Sequence, residues 1–386
     1  MGIEKHCVAA IIVMALSASG HGMEAPPPRP GLSVQNGGVT LEGRPYCGMG
    51  ANYFSLFSRT LQDSSDRSYE IGLKQLSEAR IPFVRFMACA FWPAEWDLYL
   101  QDKATYFARL DRVVRCAEKH KIGLIPSLFW HMATVPDLMG EPMDQYGDPE
   151  SRTVAFVRQY TREVVLRYRA SPAIWGWEFG NEYNLAVDLP NASEHRPPVV
   201  PSLKTARHRT ARDELSSSAM LCAYAEFAKT VRQYDTHRIL ITGNAVPRPS
   251  AYHNTLEKSW KRDSDAQFET ILLRDNPSPF DTLSVHVYAK AKPDYAGSAQ
   301  TLADWVNTMQ VVSTKAQKPL FIGEFGAPRT LGRDAERAGL LALIKAIETN
   351  RVPLSAFWVF DYPGQNKDWN VTWDNDRQYM LSLVSE

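Results

Sequence analysis

Two glutamates stand at the ends of apolar runs. A pair of carboxyl groups is the smallest set that can act as acid and as nucleophile on one bond. The first run, residues 173–179, leads into Asn181 and Glu182 within the segment WGWEFGNEY at 175–183. The second, residues 319–326, carries Glu324. Both runs are short, almost wholly apolar and bounded by turn formers, the pattern of a strand buried on both faces. If the two strands end on one side of a common sheet, Glu182 and Glu324 face each other across a cleft. The carboxyl held protonated can deliver a proton to a departing oxygen, and the ionised one can attack the carbon that the oxygen leaves. Two carboxyls whose surroundings push their pKa values apart suit the cleavage of an acetal such as a glycosidic bond.

Such strands need a fold that gathers their ends. The pattern predicts strands over 46–52, 81–87, 122–128, 173–179, 239–242, 282–286, 320–324 and 354–360. Between them it predicts helices over 69–79, 105–120, 153–168, 217–234, 301–316 and 334–350, with a last one over 377–384. Strands alternating with helices indicate an α/β fold, here a (β/α)8 TIM barrel. The alternative, an open doubly wound sheet, would want a glycine-rich phosphate loop after the first strand, and Gly48 and Gly50 lack a third glycine. Ahead of the barrel, residues 32–34 and 39–41 flank a turn at Asn36-Gly37-Gly38, and residues 42–44 form a second turn. They predict a short β-ribbon that closes one end of the barrel. The first barrel helix is expected to turn Ile71, Leu73 and Leu76 to the core. Two polar insertions, 183–214 and 248–265, interrupt the alternation.

Barrel enzymes place their chemistry at the C-terminal ends of the strands. That rule selects Arg85, His131, Asn181, Glu182, His286, Tyr288, Glu324 and Trp358. Arg85 and Tyr288 are placed to hydrogen-bond Glu324 and keep it anionic. Glu182, further from that cation, is expected to keep its proton, Asn181 to bind a sugar hydroxyl, and Trp358 to form a flat floor under a sugar ring. Glu178, inside its strand, reads as a structural hydrogen-bond partner. Trp175 fits the core and the cleft equally well. Trp92, Trp96, Trp130, Trp369 and Trp373 fall in strand-end loops, as sugar platforms or as packing. The histidines are not at metal-ligand spacing, so no metal is expected. With side chains for both catalytic groups, no cofactor is expected either.

The order and spacing of these residues resemble the clan A glycoside hydrolases, most closely glycoside hydrolase family 5, the cellulase and β-mannanase family. The resemblance runs through Arg85, His131, Asn181-Glu182, His286 with Tyr288, Glu324 and Trp358, nearly the whole chain after its first 31 residues. It implies that Glu182 is the acid/base and Glu324 the nucleophile of a retaining double displacement, with carboxyls ~5–5.5 Å apart. Trp177-Glu178 ahead of Asn181-Glu182, and the leading ribbon, are similar to the β-mannanase branch. Where the family usually has proline after the Asn-Glu pair, this chain has Tyr183. The implied substrate is a β-1,4-linked polysaccharide or oligosaccharide, mannan-type first and glucan second. A non-catalytic carbohydrate-binding barrel and a transglycosylase are the alternatives on the same scaffold.

Composition narrows the partners. The 386 residues are 44% hydrophobic, enough for a large core. Lys plus Arg equals Asp plus Glu at 43 each, so no basic field points to nucleic acid or an anionic membrane. Lys5, an apolar stretch at 8–16 and small residues at 17–20 read as a secretory signal over residues 1–20. A proline-rich linker over 21–31 follows, then a single catalytic domain over 32–386. The expectation is a secreted monomer, extracellular or periplasmic, that carries no membrane segment once the signal is removed. Cys47, Cys89, Cys116 and Cys222 then remain, and their even number permits disulfides without naming a pairing. Asn191 and Asn370 each open a glycosylation tripeptide.

Overall fold

The apolar strand runs form a ring, and a computed structural model describes it over residues 30–385. The expected signal, and all but the end of the expected linker, lie outside the described residues. The barrel strands are β1 (Gly48–Asn52), β2 (Phe83–Met87), β3 (Gly123–Phe129), β4 (Gly176–Gly180), β5 (Ile239–Ile241), β6 (Leu283–Tyr288), β7 (Leu320–Gly326) and β8 (Leu354–Phe357). Each pairs in parallel with its sequence neighbours except across β5 and β6, and β1 also pairs with β8, which leaves one seam in the ring. Helices lie between successive strands. This is the (β/α)8 barrel that the alternation predicts, and the eight strands fall within a few residues of their expected positions.

The remaining seam, between β5 and β6, is bridged largely by side chains. Asn276 Oδ1 accepts from Thr242 Oγ1 at 2.8 Å and from Ser284 N at 2.9 Å. Asp281 Oδ2 accepts from Leu240 N at 2.6 Å, and Asp281 N donates to Leu240 O at 3.0 Å. Two short polar side chains thus satisfy backbone groups that a strand ladder would otherwise pair, which buried backbone requires.

The ribbon pairs Leu32–Gln35 with Gly38–Leu41 in antiparallel register, and Arg44–Pro45 adds a third short strand. Leu32 and Val39 pack with Phe83, Ile125, Trp175, Ile239, Ile241, Phe321 and Leu354 inside the N-terminal mouth. Leu32 N donates to Trp175 O at 2.8 Å. The ribbon therefore plugs the end opposite the strand tips, and Trp175 belongs to this core rather than to the cleft.

The outer helices follow their caps and apolar stripes. Ser151 accepts from Val154 N to start Arg152–Tyr168, whose Val154, Val157, Tyr160, Val164 and Val165 are buried. In Ser68–Glu78 the buried face is Tyr69, Gly72, Leu73 and Leu76, while Ile71 is 63% exposed. The expected grouping of Ile71 with Leu73 fails because residues two apart do not share a helix face. Three short loop helices, Ser58–Gln62, Asp97–Gln101 and Thr134–Met139, were not expected, nor were Ala251–Glu257 inside the second insertion and Asp265–Asp275 at its end. The latter opens on a capping box of Ser264 and Gln267, a legible start signal. The four cysteines of the described residues are free thiols, with Cys89 buried and Cys47 exposed.

Candidate active site

Arg85 is the hub. It sits at 0% exposure on β2, and all three guanidinium nitrogens are engaged. Nε donates to Glu178 Oε1 and Oε2 at 2.9 and 2.8 Å. Nη1 reaches Asn52 Oδ1 at 3.0 Å and Glu324 Oε1 at 2.7 Å, and Nη2 reaches Asn181 Oδ1 at 2.8 Å. Its Cζ lies 4.5 Å from the centre of the Trp130 ring, which also meets Phe54 at 5.1 Å and stacks on Trp358 at 6.1 Å. Only a planar fork with several fixed donors can serve β1, β4 and β7 at once. Asn52, the last residue of β1, is a member that sequence reasoning missed. The strand-end rule applied to β1 would have found it.

Strand irregularities aim the two glutamates. On β7, Phe321 packs inside the barrel and Ile322 among the helices, so strict alternation would turn Glu324 outward. The register against β6 shifts between Ile322 and Glu324, where Gly323 is the extra residue. That bulge reverses the parity: Glu324 points inward and Phe325 rejoins the outer core. At the end of β4, Glu182 adopts φ +55°, a left-handed conformation that costs a non-glycine residue about 1–2 kcal/mol. Glu182 N donates to Gly243 O at 2.9 Å, which holds it there. Gly243 must be glycine: φ is +76°, and a Cβ would lie 1.8 Å from Gly180 O. Tyr183, where the family usually has proline, is buried and donates to Phe129 O at 2.9 Å, tying the β4 loop to β3.

Glu182 and Glu324 then meet over His286. Its Nδ1 lies 2.9 Å from Glu182 Oε1 and 3.5 Å from Glu324 Oε2. One ligand atom from each of the three residues lies within 4.8 Å of the others. Tyr288 OH donates to Glu324 Oε2 in a short hydrogen bond. Glu324 therefore meets a guanidinium on one oxygen and a phenol on the other. Burial pushes the Glu182 carboxyl up, against the pull of Arg85, Arg248 and Lys290. Burial, aided by Arg85, pushes His286 down to about 3, so its ring is neutral and its contact with Glu182 is a hydrogen bond between groups of which one is uncharged. Glu178, fully buried, is raised by burial and held against that by Arg85, the structural role expected of it.

The three donor atoms are near enough to one another to hold a metal ion. With Arg85 and Tyr288 already on Glu324, however, a dication would be added beside a fixed guanidinium, which disfavours it.

Six of the eight expected residues share this cluster: Arg85, Asn181, Glu182, His286, Tyr288 and Glu324. Trp358 lies just past β8, donates through Nε1 to Gln365 Oε1 at 2.7 Å, and reaches the cluster through Trp130. His131 stands apart. Its Nδ1 lies 3.2 Å from Thr134 Oγ1, its ring packs on Phe91 and Trp92, and burial with Arg209 lowers it to about 4. Among the remaining tryptophans, Trp96 and Trp130 are buried, and Trp373 is exposed beside Arg67 and Tyr69, on the outer face of the helix layer. Trp92 and Trp369 border the bowl, the latter 5.0 Å from the Tyr288 ring. Asn370 is buried and hydrogen-bonded to Tyr362 N and Asn366, so its tripeptide is closed to modification in the folded chain.

Two hollows flank the cluster. One of about 470 Å³ is walled by Phe54, Phe91, Trp92 and Tyr362. The other, of about 320 Å³, is walled by Glu182, His286, Tyr288, Arg248, Lys290 and Tyr295 among others. The first insertion folds down over the loops after β2 and β3, held by Arg209 on Asp137, Lys204 on Asp97 and Arg212 on Asp144.

A barrel with two glutamates on the tips of β4 and β7, bridged by a histidine and served by one arginine, has the architecture of a glycoside hydrolase. Residues 50–376 match the family model for cellulase (glycosyl hydrolase family 5), and the chain belongs to that family. It is 38% identical over 81 residues to probable mannan endo-1,4-beta-mannosidase F of Aspergillus flavus and of Aspergillus oryzae. That match covers 19% of this chain and only 17% of each relative's length. The fold is similar to the endo-1,4-beta-mannanase of Rhizomucor miehei, with a TM-score of 0.63 at 18% identity over 92% of this chain and 98% of that one. It is also similar to the hyperthermostable endo-1,4-beta-D-mannanase of Thermotoga petrophila, with a TM-score of 0.60 at 13% identity over 88% and 99%. An exo-beta-1,4-mannosidase of an Opitutaceae bacterium gives 0.62 at 15% identity over 91% and 62%. Among the described residues no helix is long and apolar enough to cross a membrane.

Proposed function

We propose that the chain is a secreted, retaining β-glycoside hydrolase acting on a β-1,4-linked glycan, mannan-type before glucan-type. One observation carries the reading: Glu182 and Glu324 approach each other across His286, while the guanidinium and the phenol contact Glu324 alone. That asymmetry suits one proton donor and one anion. Ligand atoms within 4.8 Å fit the ~5–5.5 Å carboxyl spacing of retaining enzymes better than the wider spacing of inverting ones.

In the first step Glu324 attacks the anomeric carbon while Glu182 gives its proton to the leaving oxygen. A glycosyl ester on Glu324 results, and the leaving sugar departs with the proton. In the second step Glu182, now ionised, takes a proton from water. The water oxygen attacks the same carbon, Glu324 is released, and Glu182 is again protonated. Asn181, whose carbonyl is taken by Arg85, has its amide NH2 left for a hydroxyl of the sugar. Trp358 supplies a face for the ring. The mannan preference rests on the named relatives and on the sequence of β4.

Sugar release from mannan, glucomannan, soluble cellulose, xyloglucan and aryl β-glycosides, by the purified chain and by Glu324→Ala, tests the reading. Cleavage of at least one by the wild type is expected, with kcat about 10⁴-fold lower or worse in the variant. An equally active Glu324→Ala would overturn the assignment. Tight sugar binding without product would leave a carbohydrate-binding barrel instead.

A further inference from the structure

We propose that the hollow beside Glu182 selects a leaving group bearing a carboxylate, held by Arg248 and Lys290, so that the preferred glycan has an acidic sugar directly after the scissile bond. The inference deepens the reading above and rests on its assignment of Glu182 and Glu324.

The side of the bowl follows from the chemistry. The acid must reach the leaving oxygen, and the nucleophile attacks from the opposite side of the anomeric carbon. The leaving sugar therefore lies in the hollow that Glu182 lines and Glu324 does not, the one of about 320 Å³. That volume is at the small end of ligand sites.

Its walls carry unspent positive charge. Arg248 follows β5 in the sequence Pro247-Arg248-Pro249, so a fixed φ on either side limits the backbone that presents it. Nε is anchored to Leu185 O at 3.0 Å. Among the described residues the terminal guanidinium nitrogens have no hydrogen-bond partner and Arg248 is in no ion pair. Lys290, in the loop after β6, is exposed and likewise unpaired. Two acidic side chains line the hollow, Glu182 and Asp294, and Asp294 is already taken by Arg262 in a short ion pair. Two cations thus face a space in which the one other carboxyl without a cationic partner in direct contact is the catalytic acid. A half-buried guanidinium without a counter-anion is unfavourable, and its planar fork matches a carboxylate in two parallel hydrogen bonds. Tyr295 and Trp305, with ring centres 5.5 Å apart, supply an apolar wall for the sugar body.

A second consequence separates this role from mere tuning of Glu182. The charged and titratable groups around Glu182 are Arg85 from β2, His286 and Tyr288 from β6, Glu324 from β7, Arg248 after β5 and, in the loop after β6, Lys290, Tyr295 and Asp294, the last paired with Arg262. A ligand carboxylate on Arg248 and Lys290 offsets their pull on Glu182. The acid then keeps its proton to higher pH, and the alkaline limb of kcat moves upward for acidic substrates relative to neutral ones.

The test uses β-1,4-linked trisaccharides, in the manno or gluco series that the enzyme cleaves, with the terminal unit oxidised to the aldonate or reduced to the alditol. A third arm carries a phosphate monoester on the neutral terminal unit. For cleavage before that unit, kcat/KM of the aldonate is expected to exceed that of the alditol by about tenfold (1.4 kcal/mol) at low salt. The ratio should fall as salt rises and approach one in Arg248→Gln, together with the offset in the alkaline limb. A wild-type ratio of one or less overturns the proposal, as does a ratio that survives in the Arg248→Gln, Lys290→Gln double variant. Preference for the phosphate over the aldonate overturns the carboxylate assignment. If the alditol is cleaved without preference, only this inference falls. If neither series is cleaved at all, the hydrolase reading falls first. Calorimetry with glucuronate and mannonate then decides this one, by whether binding is present in the wild type and lost in Arg248→Gln.

Discussion

At the scale of single residues, the site is an exercise in dividing one cation between two anions. Arg85 faces Glu178 and Glu324 with all three side chains buried, so the three groups stabilise one another only while all are present. Removing one partner of such a buried pair costs about 3–5 kcal/mol, because the other charge is left without compensation. Arg85→Lys keeps the charge but loses the fork. It is expected to lower kcat by at least about 10²-fold and to reduce the urea midpoint, both measured on the purified variant. Glu182→Gln should be different in kind. The fold stays, and glycosides with poor leaving groups slow by about 10²–10⁴-fold, whereas activated dinitrophenyl glycosides, which need no proton, are attacked nearly as fast. Burial holds the Glu182 carboxyl above its usual range, so the acid form persists to higher pH than for an exposed glutamate. With Glu182 as the proposed acid, the alkaline limb of kcat in the wild type should mark its loss of that proton, and Glu182→Gln should lack the limb.

At the scale of elements, irregularities rather than regular strands set the chemistry. The bulge at Gly323 turns Glu324 from the helix side to the bowl. β4 carries one residue more than β3 between the Leu124–Ile174 bridge and the Ser127–Glu178 pair. The left-handed turn at Glu182 persists because Gly243 brings the backbone after β5 against Gly180. Gly243→Ala meets both an unfavourable φ and a backbone oxygen. It should cost about 3 kcal/mol or more in denaturant unfolding, and lower kcat by displacing Glu182.

At the scale of the whole molecule, the barrel concentrates buried titratable groups, and these make stability depend on pH. His131 titrates at about 4 in the fold against ~6.5 unfolded. Between those values the unfolded chain holds a proton that the folded one lacks, so stability falls as pH drops from about 6.5 to about 4. The loss is on the order of 2 kcal/mol, allowing for partial exposure of the ring. Asp275, raised to about 6 by burial, acts in the opposite sense, since its contribution is lost as pH rises through about 4 to about 6. That term is common to wild type and His131→Gln and cancels between them. The drop in Tm from pH 7 to pH 5 should therefore be smaller in His131→Gln. An equal drop would show that His131 is not held neutral by the fold.

The sequence by itself determined the strands, their alternation with helices, the plugging ribbon, and the glutamates at the tips of β4 and β7. Each of these follows from local hydrophobic period and from turn chemistry, which act over a few residues. Closure of the ring decided the rest. Asn52 joins Arg85 only when β1 and β2 lie side by side, and His131 leaves the cluster because Phe91 and Trp92 pack it against the loop after β2. Ile71 faces solvent, Trp175 belongs to the core below, and Ala251–Glu257 forms a helix where a polar insertion was expected. Arg248 and Lys290 acquire meaning through the hollow that two separate loops build beside Glu182. Parity on β7 was beyond reach of periodic reading: strict alternation counts every residue, and a one-residue bulge is visible only against the neighbouring strands.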